Sequence, residues 1–213
     1  MKDEHPERNP LIWTALFWGG AWGLCEATFG HVLHMARVPG LPALVMFPIG
    51  AALMMRAWRE TGRLQAILIC GAAAASVKLG GLLIPAVDVF AIVNPARAIL
   101  LQSLAFAGIA AAVGKRNFAM PLSAFVAASV CWRLVYGGLA LAEGRWLGFA
   151  NIAASSLSIS VFVLAGGILG GVLAFAVCEI LALRLRGALP TLRKSPAAAF
   201  TLLAAAFVAE LLI

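Results

Sequence analysis

Residues 152–183 read IAASSLSISVFVLAGGILGGVLAFAVCEILAL, 32 residues with a single charge, Glu179. A membrane-crossing helix needs roughly 20 apolar residues, and this run exceeds that. Such runs recur along the chain. Of 213 residues, 63% are hydrophobic and only 12% charged, with a mean hydropathy of +0.99. A soluble domain is about half apolar and about a quarter charged. The composition excludes an ordinary soluble globule, a disordered chain and a disulfide-stapled module. It predicts an all-α, polytopic transmembrane helix bundle.

Seven apolar segments are expected, at 11–33, 41–55, 64–84, 95–113, 119–141, 152–183 and 197–213. The second is short and holds Pro48, so it is tilted, kinked or extended to Trp58. The seventh spans or lies along the bundle, giving six to seven spans. Residues 1–10 form a polar tail, and residues 11–213 a single transmembrane domain. A cleaved signal peptide fits poorly, because the first apolar run is too long and carries Glu26. No internal repeat is evident.

Lys and Arg in the tail and loops, with Arg97 at the mouth of the fourth helix, number eleven on one set of alternate sides and three on the other. Positively charged loops stay in the cytoplasm. The N-terminus and the loops after segments two, four and six are therefore expected to be cytoplasmic, in a bacterial inner membrane. The net charge of +7 belongs to this pattern rather than to a nucleic-acid site. Cys25, Cys70, Cys131 and Cys178 lie inside apolar segments without CxxC spacing, and are expected to act as small buried hydrophobes.

That topology turns sequence position into depth. Glu26, Lys78 and Arg133 fall in the outer halves of segments one, three and five. His31 and His34 fall near the outer end of segment one. Asn94 and Arg97 mark the outer start of segment four, with Pro95 in its first turn. Tyr136 lies one turn beyond Arg133. Asn151 and Ser155 open segment six, and Asp88 sits in the third outer loop. Glu179 and Glu210 are the exceptions, and Glu179 can pair with a loop arginine. Ionisable groups at membrane depth face the bundle interior and need a reason to be there. At 100° per residue Glu26 shares a face with Gly19, Gly23 and Gly30; Lys78 with Gly71, Ala74 and Gly81; Arg133 with Ser129, Tyr136 and Gly137. Three helices thus aim charges at one depth. The cluster is either an ion-pair network or an outward-facing pocket for a small anionic or zwitterionic molecule. Lys78, Arg133 and Arg97 outnumber Glu26 and Asp88, which favours the pocket. The stretch 85-PAVDVFAIVNP-95 reads as a lid or as a packed loop.

The alternative is an intramembrane enzyme or metal-binding protein using Glu26 with His31 or His34. On an ideal helix His34 is rotated ~80° and His31 ~140° from Glu26, a poor set for one metal. HExxH, GxSxG, GxGxxG and P-loop patterns are absent, so no metal, cofactor or catalytic residue is expected.

Ala15, Gly19, Gly23 and Ala27 repeat every four residues, and Gly166, Gly170, Gly167 and Gly171 form two interleaved GxxxG pairs. Such stripes let membrane helices touch, inside the bundle or against a partner. A small helical protein of six or seven spans with a cytoplasmic N-terminus and a first-helix stripe resembles the substrate-binding S components of energy-coupling factor transporters. The resemblance covers about residues 11–183. It implies an uptake subunit that binds its substrate towards the outside and lacks an ATPase of its own. It also implies that Ala15 and Gly19, with Gly23, dock a transmembrane coupling subunit served by separate ATPases. Family members usually have six helices, whereas seven segments occur here.

Overall fold

A computed structural model of the chain describes residues 10–85, 88–113, 120–147, 156–184 and 195–212. Among them every regular element is helical: α1 (Pro10–Cys25), α2 (His31–Met35), α3 (Leu41–Thr61), α4 (Gln65–Leu79), α5 (Val89–Val113), α6 (Leu122–Leu147), α7 (Ser156–Ser160), α8 (Gly166–Arg184) and α9 (Pro196–Leu212). A π turn, Glu26–Gly30, joins α1 to α2, and another, Val161–Ala165, joins α7 to α8. The residues flanking the first π turn keep right-handed helical dihedrals, so Pro10 to Met35 runs as one continuous helix. A 3-10 turn, Gly80–Leu83, follows α4.

Among the described residues five stretches are long and apolar enough to cross a membrane: Leu41–Thr61, Gln65–Leu83, Val89–Val113, Leu122–Trp146 and Ser158–Ile180. They correspond to segments two to six. Segment two does extend beyond 55, to Thr61. Its start is set by Gly40 in a left-handed conformation, with Pro42 in the first turn. Its end is set by Gly62, also left-handed, whose N–H donates to the Trp58 carbonyl at 2.8 Å. These are the termini that Pro and Gly favour. Pro48 is carried inside the helix rather than ending it.

Segment four differs from expectation. Its helix begins at Val89, so Pro95 lies within α5 and not in its first turn. The Asp88 carboxylate accepts the Phe90 N–H at 3.0 Å, which satisfies one of the free donors at the helix start. Asp88 is therefore spent on the helix terminus instead of standing free in an outer loop. Most of the stretch read as a lid or loop is the first two turns of α5.

Side-chain neighbours fix the directions of the helices. Gly19 and Gly23 of α1 lie against Ala73 and Val77 of α4, so these two run parallel. Gly20 meets Leu203 of α9 and Trp13 stacks near Phe200, so α9 runs parallel to α1 as well. Trp22 fits against Gly50, and Trp18 Nε1 donates to Glu60 at 3.0 Å, so α3 runs antiparallel to α1. The alternation continues through α5, α6 and α8. It places Glu26, Lys78, Arg97, Glu143 and Glu210 towards one end of the bundle, here the Lys78 end. Arg59 and Glu179, 4.0 Å apart, lie at the other, and this is the pairing expected for Glu179.

The core holds few aliphatic giants and many flat rings. Trp22, Trp58, Trp132, Phe47, Phe106 and Phe125 are all almost fully buried. Small residues make the helix contacts close. A Cβ on Gly19 would stand 2.7 Å from the Cys70 carbonyl oxygen, and one on Gly171 would stand 2.8 Å from the Val126 backbone nitrogen. Both glycine stripes are thus used within the bundle, α1 on α4 and α8 on α6. The docking role expected of Ala15, Gly19 and Gly23 is corrected accordingly: Ala15 is fully buried and the two glycines are covered by α4. Cys70 and Cys178 are buried as expected, but Cys131 is exposed on the flank of α6.

Candidate functional site

The polar residues at the Lys78 end form two groups rather than one. The first lies where α1, α4 and α9 meet. Lys78 Nζ pairs with Glu210 Oε1 at 2.8 Å, and their side chains are 10% and 7% exposed. Glu26 is buried beside them, with Lys78 and Glu210 as its nearest charges. Its carboxylate folds back over Gly30, where a Cβ would stand 2.7 Å from Oε2. Glycine at 30 is what makes room for it. Lys78 therefore takes its partner from α9 and not from segment one. Glu210, expected to be an exception to this cluster, belongs to it because α9 runs parallel to α4.

The second group lies between α3, α5, α6 and the π turn before α8. Arg133 is only 1% exposed. Its Nη1 donates to the Ser129 carbonyl at 3.1 Å and to Ser129 Oγ at 2.6 Å, and its Nη2 donates to the Ala43 carbonyl at 3.1 Å. The guanidinium carbon lies 4.4 Å from the Trp132 ring centre, 5.5 Å from Phe162 and 5.7 Å from Phe47. Such distances are within cation–π range. Gly166 and Gly170 leave space for this side chain, since a Cβ on Gly170 would stand 3.0 Å from both Arg133 Nη2 and Ser129 Oγ. Among the described residues no carboxylate pairs with Arg133.

Arg97 is bound to the same aromatic group from the α5 side. Its guanidinium lies 4.8 Å over the Tyr136 ring, it pairs with Glu143, and its Nη2 donates to Asn94 Oδ1 at 3.1 Å. Tyr136 in turn packs on Trp132 and Phe162, with ring centres 6.2 and 6.1 Å away. Three buried donors around this group lack acceptors among the described residues: Arg133 Nε, Arg97 Nε and Trp132 Nε1. Chemically the group is rich in donors and poor in acceptors, which is the complement of an anion.

No family model matches this chain, nor does any curated protein or solved structure.

Of the residues expected at the site, the fold brings Glu26 to Lys78, and Asn94, Arg97 and Tyr136 to the aromatic group holding Arg133. It does not unite these two sets. Among the described residues no hydrogen bond or ion pair joins them. His34 is exposed and His31 half-buried, so neither shares the buried position of Glu26. No group of three His, Cys, Asp or Glu among the described residues is arranged to hold a metal. Asn151 and Ser155 lie outside the described residues.

Glu143 and Glu210 were missed as partners. Each had a signal, since helix alternation puts both at the Lys78 end. The rings of Phe47 and Phe162 carried none, because their approach to Arg133 comes from α3 and from the π turn, far away in sequence.

Proposed function

We propose that this chain is a multi-pass membrane protein that binds a small anionic or zwitterionic molecule at the Lys78 end, with Arg133 and Arg97 meeting its negative group. The supporting observation is Arg133, a fully buried guanidinium that among the described residues is hydrogen-bonded only to neutral oxygens. An isolated charge in a low-dielectric interior is costly unless paired. Aromatic faces offset part of that cost. An anionic ligand offsets the rest and supplies acceptors for the free donors. Phe47, Trp132, Tyr136 and Phe162 form walls suited to its apolar part.

In this reading the first and last helices complete seven spans, and the Lys78 end faces outward from a bacterial inner membrane. Reporter fusions after Arg63 and Arg193 then read cytoplasm and a fusion after Arg145 reads outside. A reversed pattern would turn the site inward. The resemblance to S components makes the role uptake of the bound molecule. Docking on a coupling subunit then uses a surface other than the Ala15–Gly23 stripe.

Thermal melts of purified protein against a panel of small carboxylates, phosphates and amino acids test the reading. A true ligand at 100 times its Kd adds about 2.7 kcal/mol of stability. That gain is expected in the wild type and lost in Arg133→Lys, because an ammonium cannot reproduce the planar fork. If no panel member shifts the wild type, the anion-binding reading loses its support.

A further inference from the structure

We infer that Glu26 and the Lys78–Glu210 pair form a second site, which loads a single positive charge: a proton or a sodium ion. Lys78 and Glu210 neutralise one another at 2.8 Å. Glu26 is the third member, 6% exposed, and among the described residues it makes no ion pair and no hydrogen bond of normal geometry. The indole of Trp22, fully buried beside it, falls short of donating to it and is left without an acceptor. Two carboxylates and one ammonium leave one negative charge uncompensated among apolar helices. A lone intramembrane carboxylate is the usual mark of a proton relay or ion path. The missing quantity is one positive charge, which a proton on Glu26 or a small monovalent cation beside it supplies equally.

The surroundings favour a charge that comes and goes. Glu26 opens a π turn, a local widening of the helix that recurs at functional sites. Among the described residues, the titratable groups on the elements packed against it are few. α4 brings Lys78 and α9 brings Glu210, while its own helix brings Cys25 before it and His31 and His34 after it. α3 carries no charged residue before Arg56, at the opposite end. The cation site is separate from the Arg133 group, so it stands whether or not that group binds an anion.

The test uses the full-length protein in detergent, by difference infrared spectroscopy over a pH titration and by thermal melts in which sodium chloride replaces choline chloride at constant ionic strength. For a proton, a carboxylic C=O band titrates in the wild type and is lost in Glu26→Gln. For sodium, sodium but not choline raises Tm, and Glu26→Gln removes the shift. If Glu26→Gln does not fold, Glu26→Asp moves the band or weakens sodium binding at least tenfold. Gly30→Ala, which crowds the carboxylate, acts in the same direction. A wild-type protein with no titrating carboxylic band and no sodium-specific shift would overturn the inference and leave Glu26 as a fixed member of an ion cluster.

Discussion

Lys78→Ala is expected to lower the stability of the folded protein by about 3–5 kcal/mol, the cost of stranding one member of a buried ion pair. The effect follows from the 2.8 Å contact with Glu210 and from the burial of both side chains. Much of the loss is not the worth of the pair but the penalty of an uncompensated carboxylate on α9. Lys78→Met combined with Glu210→Gln removes both charges, so most of the stability is expected to return. Unfolding of Lys78→Met, Glu210→Gln and the double variant in mixed micelles measures this directly. Losses that simply add would show that Lys78 and Glu210 do not interact. The same experiment reports on α9, because the pair and the contact of Phe207 with Gly80 tie the end of that helix to α4.

Gly19→Leu is the second large effect. The added side chain points at α4, where even a Cβ would stand 2.6 Å from the Ala73 Cβ and 2.7 Å from the Cys70 carbonyl oxygen. A backbone atom cannot swing aside as a side chain can, so the two helices must separate. Overpacking of a tight core costs typically ~1–3 kcal/mol, and a backbone clash belongs at or above the upper end of that range. Separation would also disturb Val77 on Gly23, and with it the position of Lys78. Gly108, which has nothing within 4 Å of its Cβ position, serves as the control: Gly108→Leu is expected to fold normally. If Gly19→Leu kept full stability, the stripe would not be an internal contact, and an external docking role would be open again.

The fold was legible where the signal was one-dimensional. Apolar length located the helices, and the alternation of basic loops agrees with the directions in which α1, α3, α4 and α9 pack. The inaccuracies lie where tertiary chemistry overrides local signals. Pro95 suggested a helix start, but Asp88 caps the chain seven residues earlier, and α5 tolerates the proline internally. The stripe on α1 was visible, but a stripe says only that something approaches closely. Whether that something is α4 or another protein depends on which face α4 presents, and Ala73 and Val77 settle it.

The site was half legible for the same reason. Depth follows from position along a helix, so Glu26, Lys78 and Arg133 were found at one level. Azimuth around the bundle depends on how helices pack, and a one-sequence reading does not contain it. One expected cluster thus becomes two, with Arg133 among rings and Lys78 on Glu210. Groups reaching across from distant segments, the Ala43 carbonyl and the Phe47 ring from α3 and the Phe162 ring from the π turn, complete the Arg133 environment. None of them has a periodic signature that points there.

The most direct test of the anion-binding account is native mass spectrometry of the protein purified in mild detergent, for the wild type and for Arg133→Lys side by side. The account predicts a wild-type population carrying one small acidic or zwitterionic molecule, released on activation as a low-mass ion. It predicts an Arg133→Lys protein that is folded, with an unchanged circular dichroism spectrum, and empty. The same bound molecule at the same occupancy in both proteins, or none in either across every growth medium tried, would contradict it and make the Arg133 group a structural feature of the bundle.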